Sequence, residues 1–205
     1  MPHRIGKVNN IEKFDSEFFN ISATEAYIMD PMIRMLLEHT YEAIIDAGVN
    51  PKELQGTRTN VFTAISAFET QGHFSCTSQF AGLPMTACNV SLMANQISYW
   101  LGVIGKSHNI DTACSSSNVA IVKAYELIQS GECDAAIIAS ANLCLNPYVQ
   151  FQFYHLGVLS SDGYCKPFDE EGTGYMRSDT AAVVYLQKAK NARRIYATLV
   201  HGKVN

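Results

Sequence analysis

Cys114 lies in the run Asp111-Thr112-Ala113-Cys114-Ser115-Ser116-Ser117, where an apolar stretch gives way to a helical pattern. Upstream, Gly105 to Ile110 reads as a short strand after a turn. Downstream, Ser115 to Gln129 reads as a helix stopped at Gly131. The thiol is thereby placed in a helix's first turn. Unpaired backbone N–H groups and the positive end of the helix dipole favour an anion there, so a thiolate forms without a cationic neighbour. That is the setting of a nucleophile. The same N–H groups, that of Cys114 included, suit the oxyanion that develops when a thioester carbonyl is attacked, a use that strand-nucleophile-helix turns serve in acyl transfer. Val119, Ala120, Ile121, Val122, Ala124, Tyr125, Leu127 and Ile128 cover nearly the whole circumference of this helix, which predicts burial on most sides.

The remaining thiols, Cys76, Cys88, Cys133, Cys144 and Cys165, have irregular spacing and no C-x-x-C pair. They lack histidines at a zinc-ligand interval and read as reduced, packed and inert, so no metal site is expected.

The elements that must position Cys114 alternate between helix and strand. Residues 1–29 read as irregular, with Phe14, Phe18 and Phe19 anchoring them to the body. Asp30 caps a helix with Pro31 at its first position, and Gly48 ends it. Its core set is Ile33, Leu36, Leu37, Tyr41, Ile44 and Ile45. Asn60 to Ala67 reads as a strand, Glu69 to Pro84 as a polar stretch, and Ser91 to Leu101 as a helix. Ala135 to Ala139 reads as a buried strand and Tyr148 to His155 as an irregular or helical link. Thr180 to Gln187 and Arg194 to Val200 read as two final strands. The pattern predicts an α/β domain with a mostly parallel sheet and helices on both faces.

Asp111 to Ser117 resembles the nucleophile motif D-T-A-C-S-S-S of the beta-ketoacyl synthases of fatty acid and polyketide synthesis. Met29-Asp30-Pro31, followed by Tyr41-Glu42-Ala43-Ile44-Ile45-Asp46-Ala47-Gly48, is similar to a second block of that family. Ser130 to Asp134 and Leu159 to Asp169 are similar to two more, in the same order. Gly172 to Ser178 and Ala192 to Thr198 resemble the animal, arthropod-like, type I fatty acid synthases more than bacterial modular polyketide synthases.

The resemblance implies a thiolase-like fold, here its N-terminal half only, so residues 1–205 are expected to form a partial N-terminal domain. The family's first strand lies in the middle of its sheet, and nothing in this sequence matches it. Its absence predicts that the strands at Asn60 to Ala67 and Ala135 to Ala139 each lose a neighbour. The family's second half carries H-G-T-G-T and K-S-N-x-G-H blocks, whose two histidines complete a triad with the cysteine; neither block is present. None of His3, His39, His73, His108, His155 and His201 falls in a matching motif, and none is assigned a catalytic role.

By resemblance, Cys114 takes an acyl chain from the phosphopantetheine of an acyl carrier protein, and a malonyl thioester is then decarboxylated and condensed with it. Phosphopantetheine is carried by the partner, and no cofactor is bound directly. A homodimer is implied for the complete enzyme. The alternatives are a polyketide synthase segment or a non-catalytic protein retaining surfaces for dimerisation or carrier-protein binding. Asn118 departs from the apolar residue usual after the serines and is expected in a crowded setting that demands hydrogen bonds.

Composition sets outer bounds. A chain of 205 residues that is 47% hydrophobic and 17% charged supports one domain with a real core. A net charge of −4 without a basic block argues against nucleic acid, and Arg193-Arg194 reads as a solvated turn. No apolar run approaches the about 18 residues that span a bilayer. The first residues lack a secretory core, which points to the cytosol.

Overall fold

A computed structural model describes residues 2–70 and 82–205. Expectations for Cys76, His73 and most of the polar stretch after Thr70 lie outside the described residues. The elements in chain order are α1 (Ala23–Ile28), α2 (Pro31–Asp46), β1 (Thr59–Ala64), α3 (Leu83–Ala87), α4 (Val90–Leu101), β2 (Ser107–Ile110), α5 (Ser116–Ser130), β3 (Ala135–Asn142), α6 (Pro147–His155) and β4 (Thr180–Gln187). The strands form one sheet in the order β2-β1-β3-β4. β1 is parallel to both β2 and β3, and β4 runs antiparallel to β3.

The strands alternate side chains between two cores, as a sheet covered on both faces requires. Val61, Ile65, Ile137 and Ala139 join α2 and α4 on one face, while Phe62, Ala64, Ala136 and Ile138 meet Ala120, Ala124, Leu127 and Ile128 of α5 on the other. The sheet corrects one expectation. β1 and β3 do not lack neighbours, because they pair with each other from Thr59↔Ala135 to Ala64↔Ser140. Their backbone groups are satisfied by direct parallel pairing, and the edges of the sheet are β2 and β4.

The helix expected after Asp30 forms as α2, ending at Ala47 with Gly48 at φ 76°. Tyr41 and Ile45 were expected in its core set; Tyr41 is half-buried and Ile45 is 46% exposed, whereas Met32 and Thr40 are buried. α1 breaks a segment read as irregular. Ser22 Oγ accepts the Glu25 N–H at 3.2 Å, an N-cap that the Ser-x-x-Glu spacing encodes. The three phenylalanines do anchor this region. Phe14 stacks on Phe19 at 5.2 Å, Phe19 meets Trp100 at 4.9 Å, and Phe18 meets Tyr41 at 5.0 Å.

The strand expected at Gly105 starts only at Ser107, because Gly105 is spent on a close approach to β1. A Cβ there would stand 2.1 Å from the Thr59 carbonyl oxygen. No strand forms over 194–200: this segment bends at 194 and 196 and pairs with no strand among the described residues. It is tied down by side chains instead. Arg194 pairs with Asp46 at 2.6 Å, Tyr196 donates to the other Asp46 oxygen at 2.7 Å, and Tyr125 donates to the Val200 carbonyl at 3.0 Å. Arg193 likewise pairs with Glu53 at 2.8 Å.

Asp30 is fully buried and accepts the Met32 N–H at 2.6 Å and the Thr70 hydroxyl. Burial pushes its carboxyl above the ordinary range, against the pull of those bonds. A raised folded-state pKa contributes stability that is full below the unfolded value and lost as pH rises through the folded one. Asp30→Asn keeps the cap without the buried charge. It should therefore be at least as stable as wild type at pH 7 and lose the wild type's relative gain on acidification. Asp30→Ala should cost about 1–2 kcal/mol in urea unfolding.

Candidate active site

The end of β2 delivers the chain into a turn that closes on the first residues of α5. Asp111 Oδ1 accepts the Ala113 N–H at 3.0 Å and also the Ser66 hydroxyl, which reaches over from the segment after β1. Ala113 takes φ 54°, a left-handed conformation that costs an L-residue roughly 1–2 kcal/mol. Cys114 follows it and is exposed. The hydroxyls of the serines then stitch the turn. Ser115 Oγ donates to the Thr112 carbonyl at 2.8 Å, and Ser116 Oγ donates to that of Ala113 at 2.6 Å while accepting the Thr112 N–H at 2.9 Å. The Ser115 and Ser116 amides are taken by Thr112 and Ala113 carbonyls at 3.3 and 3.1 Å. The amides of Cys114 and Ser117 are not engaged by these turn bonds.

Two expectations about α5 need correction. It is buried along one face, through Ser116, Ala120, Ala124, Leu127 and Ile128, and not round nearly its whole circumference. Val119, Ile121, Val122 and Tyr125 are only half-buried, because the sheet covers one side and on the other Gly202 approaches Val122 and Val200 takes the Tyr125 hydroxyl. The N-terminus of α5 accordingly opens to the surface, and Asn118 is exposed.

Tyr175 and the residues that hold it lie near the turn. Tyr175 lies within electrostatic reach of Cys114; burial first, and then the neighbouring thiol, raises its phenol above the ordinary value. Its backbone bridges to the strand-like stretch at Leu159, with the Tyr175 N–H on Val158 O at 3.0 Å and the Ser160 N–H on Tyr175 O at 2.9 Å. Arg177 stacks over Phe153 at 4.7 Å and pairs with Glu69 at 3.2 Å, both side chains almost fully buried. The other Glu69 oxygen accepts the Leu145 and Asn146 N–H groups at 2.7 and 2.5 Å, just ahead of α6. Sequence reasoning passed over Ser66, Glu69 and Arg177 as site-shaping residues; they are remote in sequence, and no local spacing signals them.

The other thiols divide. Cys88, Cys133 and Cys144 are buried, and burial raises each, Cys88 up to about 11. Cys165 is exposed, contrary to the expectation of a packed thiol. It accepts the Met176 N–H at 3.1 Å in a cavity of about 570 Å³ that it shares with His3 and Arg4. Of the remaining described histidines, His39 lies on Glu42 at 2.7 Å, His108 against Phe62 and His155 against Phe151, and His201 is exposed. A groove of about 740 Å³ runs between α5, β4 and residues 192–199, and Cys114 does not line it.

A mixed, mostly parallel sheet that presents an exposed cysteine between strand and helix defines an α/β domain with a candidate nucleophile at a strand end. The family model for the beta-ketoacyl synthase N-terminal domain matches residues 2–192. Fatty acid synthase of the goose Anser anser anser is 46% identical over 206 aligned residues, covering 100% of this chain and 58% of that protein. Probable polyketide synthase 1 of Dictyostelium discoideum is 38% identical over 92% of this chain and 6% of its own length. Among solved structures, the ketosynthase from module 6 of the Bacillus subtilis 168 bacillaene synthase superposes with TM-score 0.80 at 32% identity, over 91% of this chain and 31% of that one. An oxazolomycin ketosynthase domain of Streptomyces albus JA3453 gives 0.82 at 30% identity, over 91% and 33%. The chain belongs to the beta-ketoacyl synthase family and has the fold of its N-terminal, thiolase-like half. It spans about a third of the solved ketosynthases and a little over half of the goose sequence.

Iodoacetamide mapping at pH 7 should label Cys114 and Cys165 well ahead of Cys88, Cys133 and Cys144, with Cys114 the fastest. Labelling of Cys114 at the rate of Cys133 removes it as a nucleophile.

Proposed function

We propose that this chain is the acyl-accepting part of a fatty acid synthase ketosynthase, with Cys114 as its nucleophile. The observation that carries the reading is the placement of Cys114, among the described residues the one exposed thiol at a strand-to-helix turn. The thiolate attacks the carbonyl of an acyl thioester on the phosphopantetheine arm of an acyl carrier protein. The tetrahedral oxyanion takes hydrogen bonds from amides of the turn, that of Cys114 foremost. Its collapse expels the pantetheine thiolate and leaves an acyl-Cys114 thioester, so one thioester is exchanged for another and no redox step is involved. Condensation then needs loss of carbon dioxide from a malonyl thioester and donors for the enolate oxygen. By family resemblance those donors are two histidines in a C-terminal half. The partial-domain reading of residues 1–205, the working homodimer, the cytoplasmic setting and the absence of a directly bound cofactor belong to the same proposal. Among the described residues no helix is long and apolar enough to cross a membrane.

A polyketide synthase origin uses the same chemistry, and the identity to Dictyostelium polyketide synthase keeps it as the second reading. A non-catalytic binding role is disfavoured, since a scaffold has no use for an exposed thiol in this turn.

Incubation with a short-chain acyl-pantetheine thioester should add one acyl group, mapped by mass to Cys114 and abolished by Cys114→Ala. The same material should release no carbon dioxide from malonyl-pantetheine. Acylation that survives Cys114→Ala contradicts the assignment, and carbon dioxide release contradicts the division of labour between the halves.

A further inference from the structure

The segment after β1 reaches three parts of the molecule within five residues. Ser66 donates to Asp111 in the nucleophile turn, Glu69 holds Arg177 and the chain ahead of α6, and Thr70 donates to Asp30 at the start of α2. Only the first of these touches the turn itself. Asp111 Oδ1 receives two donors, the Ser66 hydroxyl from one strand's end and the Ala113 N–H from the adjacent strand's end. Ala113 is the residue in the left-handed conformation, and Cys114 is the next residue.

We infer that Ser66 is a positioning residue for Cys114: through Asp111 it holds Ala113 left-handed, and this aims the sulfur at the first turn of α5. The inference rests on the reading of Cys114 as nucleophile and adds to it a residue that carries no chemistry of its own. Without the Ser66 hydroxyl, Asp111 has one fewer donor fixing its rotamer, and the strained Ala113 is free to relax toward an ordinary conformation. The sulfur then leaves the amide cluster. The hydrogen bond from Ser66, ahead of that from Ala113, also holds the Asp111 carboxyl below the usual carboxylate range, and no charged side chain contributes to that shift. Around the thiol itself, Tyr175 is a near titratable group, and Arg177 and Cys144 also act on that phenol.

Cys165, exposed and remote in sequence from the turn, serves as an internal clock for alkylation in the same chain. In wild type the iodoacetamide rate ratio Cys114/Cys165 should exceed one at pH 7. In Ser66→Ala the ratio should fall about tenfold or more, the scale of losing a hydrogen bond to a charged group. Ser66→Thr, which keeps the hydroxyl, should restore the ratio, an outcome that a merely structural loss at this position does not produce. A Ser66→Ala ratio equal to wild type overturns the inference while leaving Cys114 as nucleophile. A wild-type ratio no greater than one fails the reading of Cys114 itself.

Discussion

The parallel pairing of β1 with β2 decides where the thiol stands. Register from Val61↔Ser107 to Ala64↔Ile110 brings the two strands to the same end of the sheet together. Ser66 and Asp111 therefore emerge side by side, two residues past one strand and one past the other. Parallel strands demand crossover connections, and here those connections are the helices that bury the sheet's faces. A slip of one residue turns Phe62 and Ile138 toward the wrong core and separates Ser66 from Asp111 at once. Packing and the geometry of the site are thus enforced by the same register.

Around that constraint the molecule spends buried charge sparingly. The described residues hold one ion pair with both side chains almost fully buried, Glu69–Arg177, and two further carboxyl side chains almost fully buried, Asp30 and Asp179. The ion pair and Asp30 are reached from the segment after β1. A buried pair offers little net stability over apolar residues of the same size, but losing one partner costs about 3–5 kcal/mol. Such a pair specifies an arrangement more than it strengthens one. The arrangement it specifies here holds the chain ahead of α6 and sets Phe153 beside Tyr175, the phenol within electrostatic reach of Cys114.

Periodicity and caps made much of the fold legible. Asp30-Pro31 and Gly48 mark α2 within a residue, and Gly131 marks the end of α5, because capping is local chemistry. The cysteine was legible for the same reason: its strand, turn and helix are contiguous. Three features were not. The pairing of β1 with β3 joins residues some 76 positions apart, and a family expectation of an intervening strand pointed elsewhere. The segment 194–200 has strand composition, yet a strand needs a neighbour and among the described residues none pairs with it. The apolar circumference of α5 predicted burial on all sides, but composition reports what a helix can bury and not what is present to cover it. Exposure of Cys165 belongs with these, since nothing local separates a thiol packed in a core from one at the rim of a cavity.

The central claim is that the turn at Cys114 offers backbone amides to the carbonyl of a thioester formed on its sulfur. The most direct measurement is the carbonyl resonance of a [1-¹³C]acyl group carried by the chain, compared with the same acyl-pantetheine thioester free in water. The account predicts a single downfield-shifted carbonyl signal, lost in Cys114→Ala, with proximity between that carbon and the Cys114 or Ser117 amide proton. A carbonyl signal at the free-thioester position, or one that persists in Cys114→Ala, contradicts it.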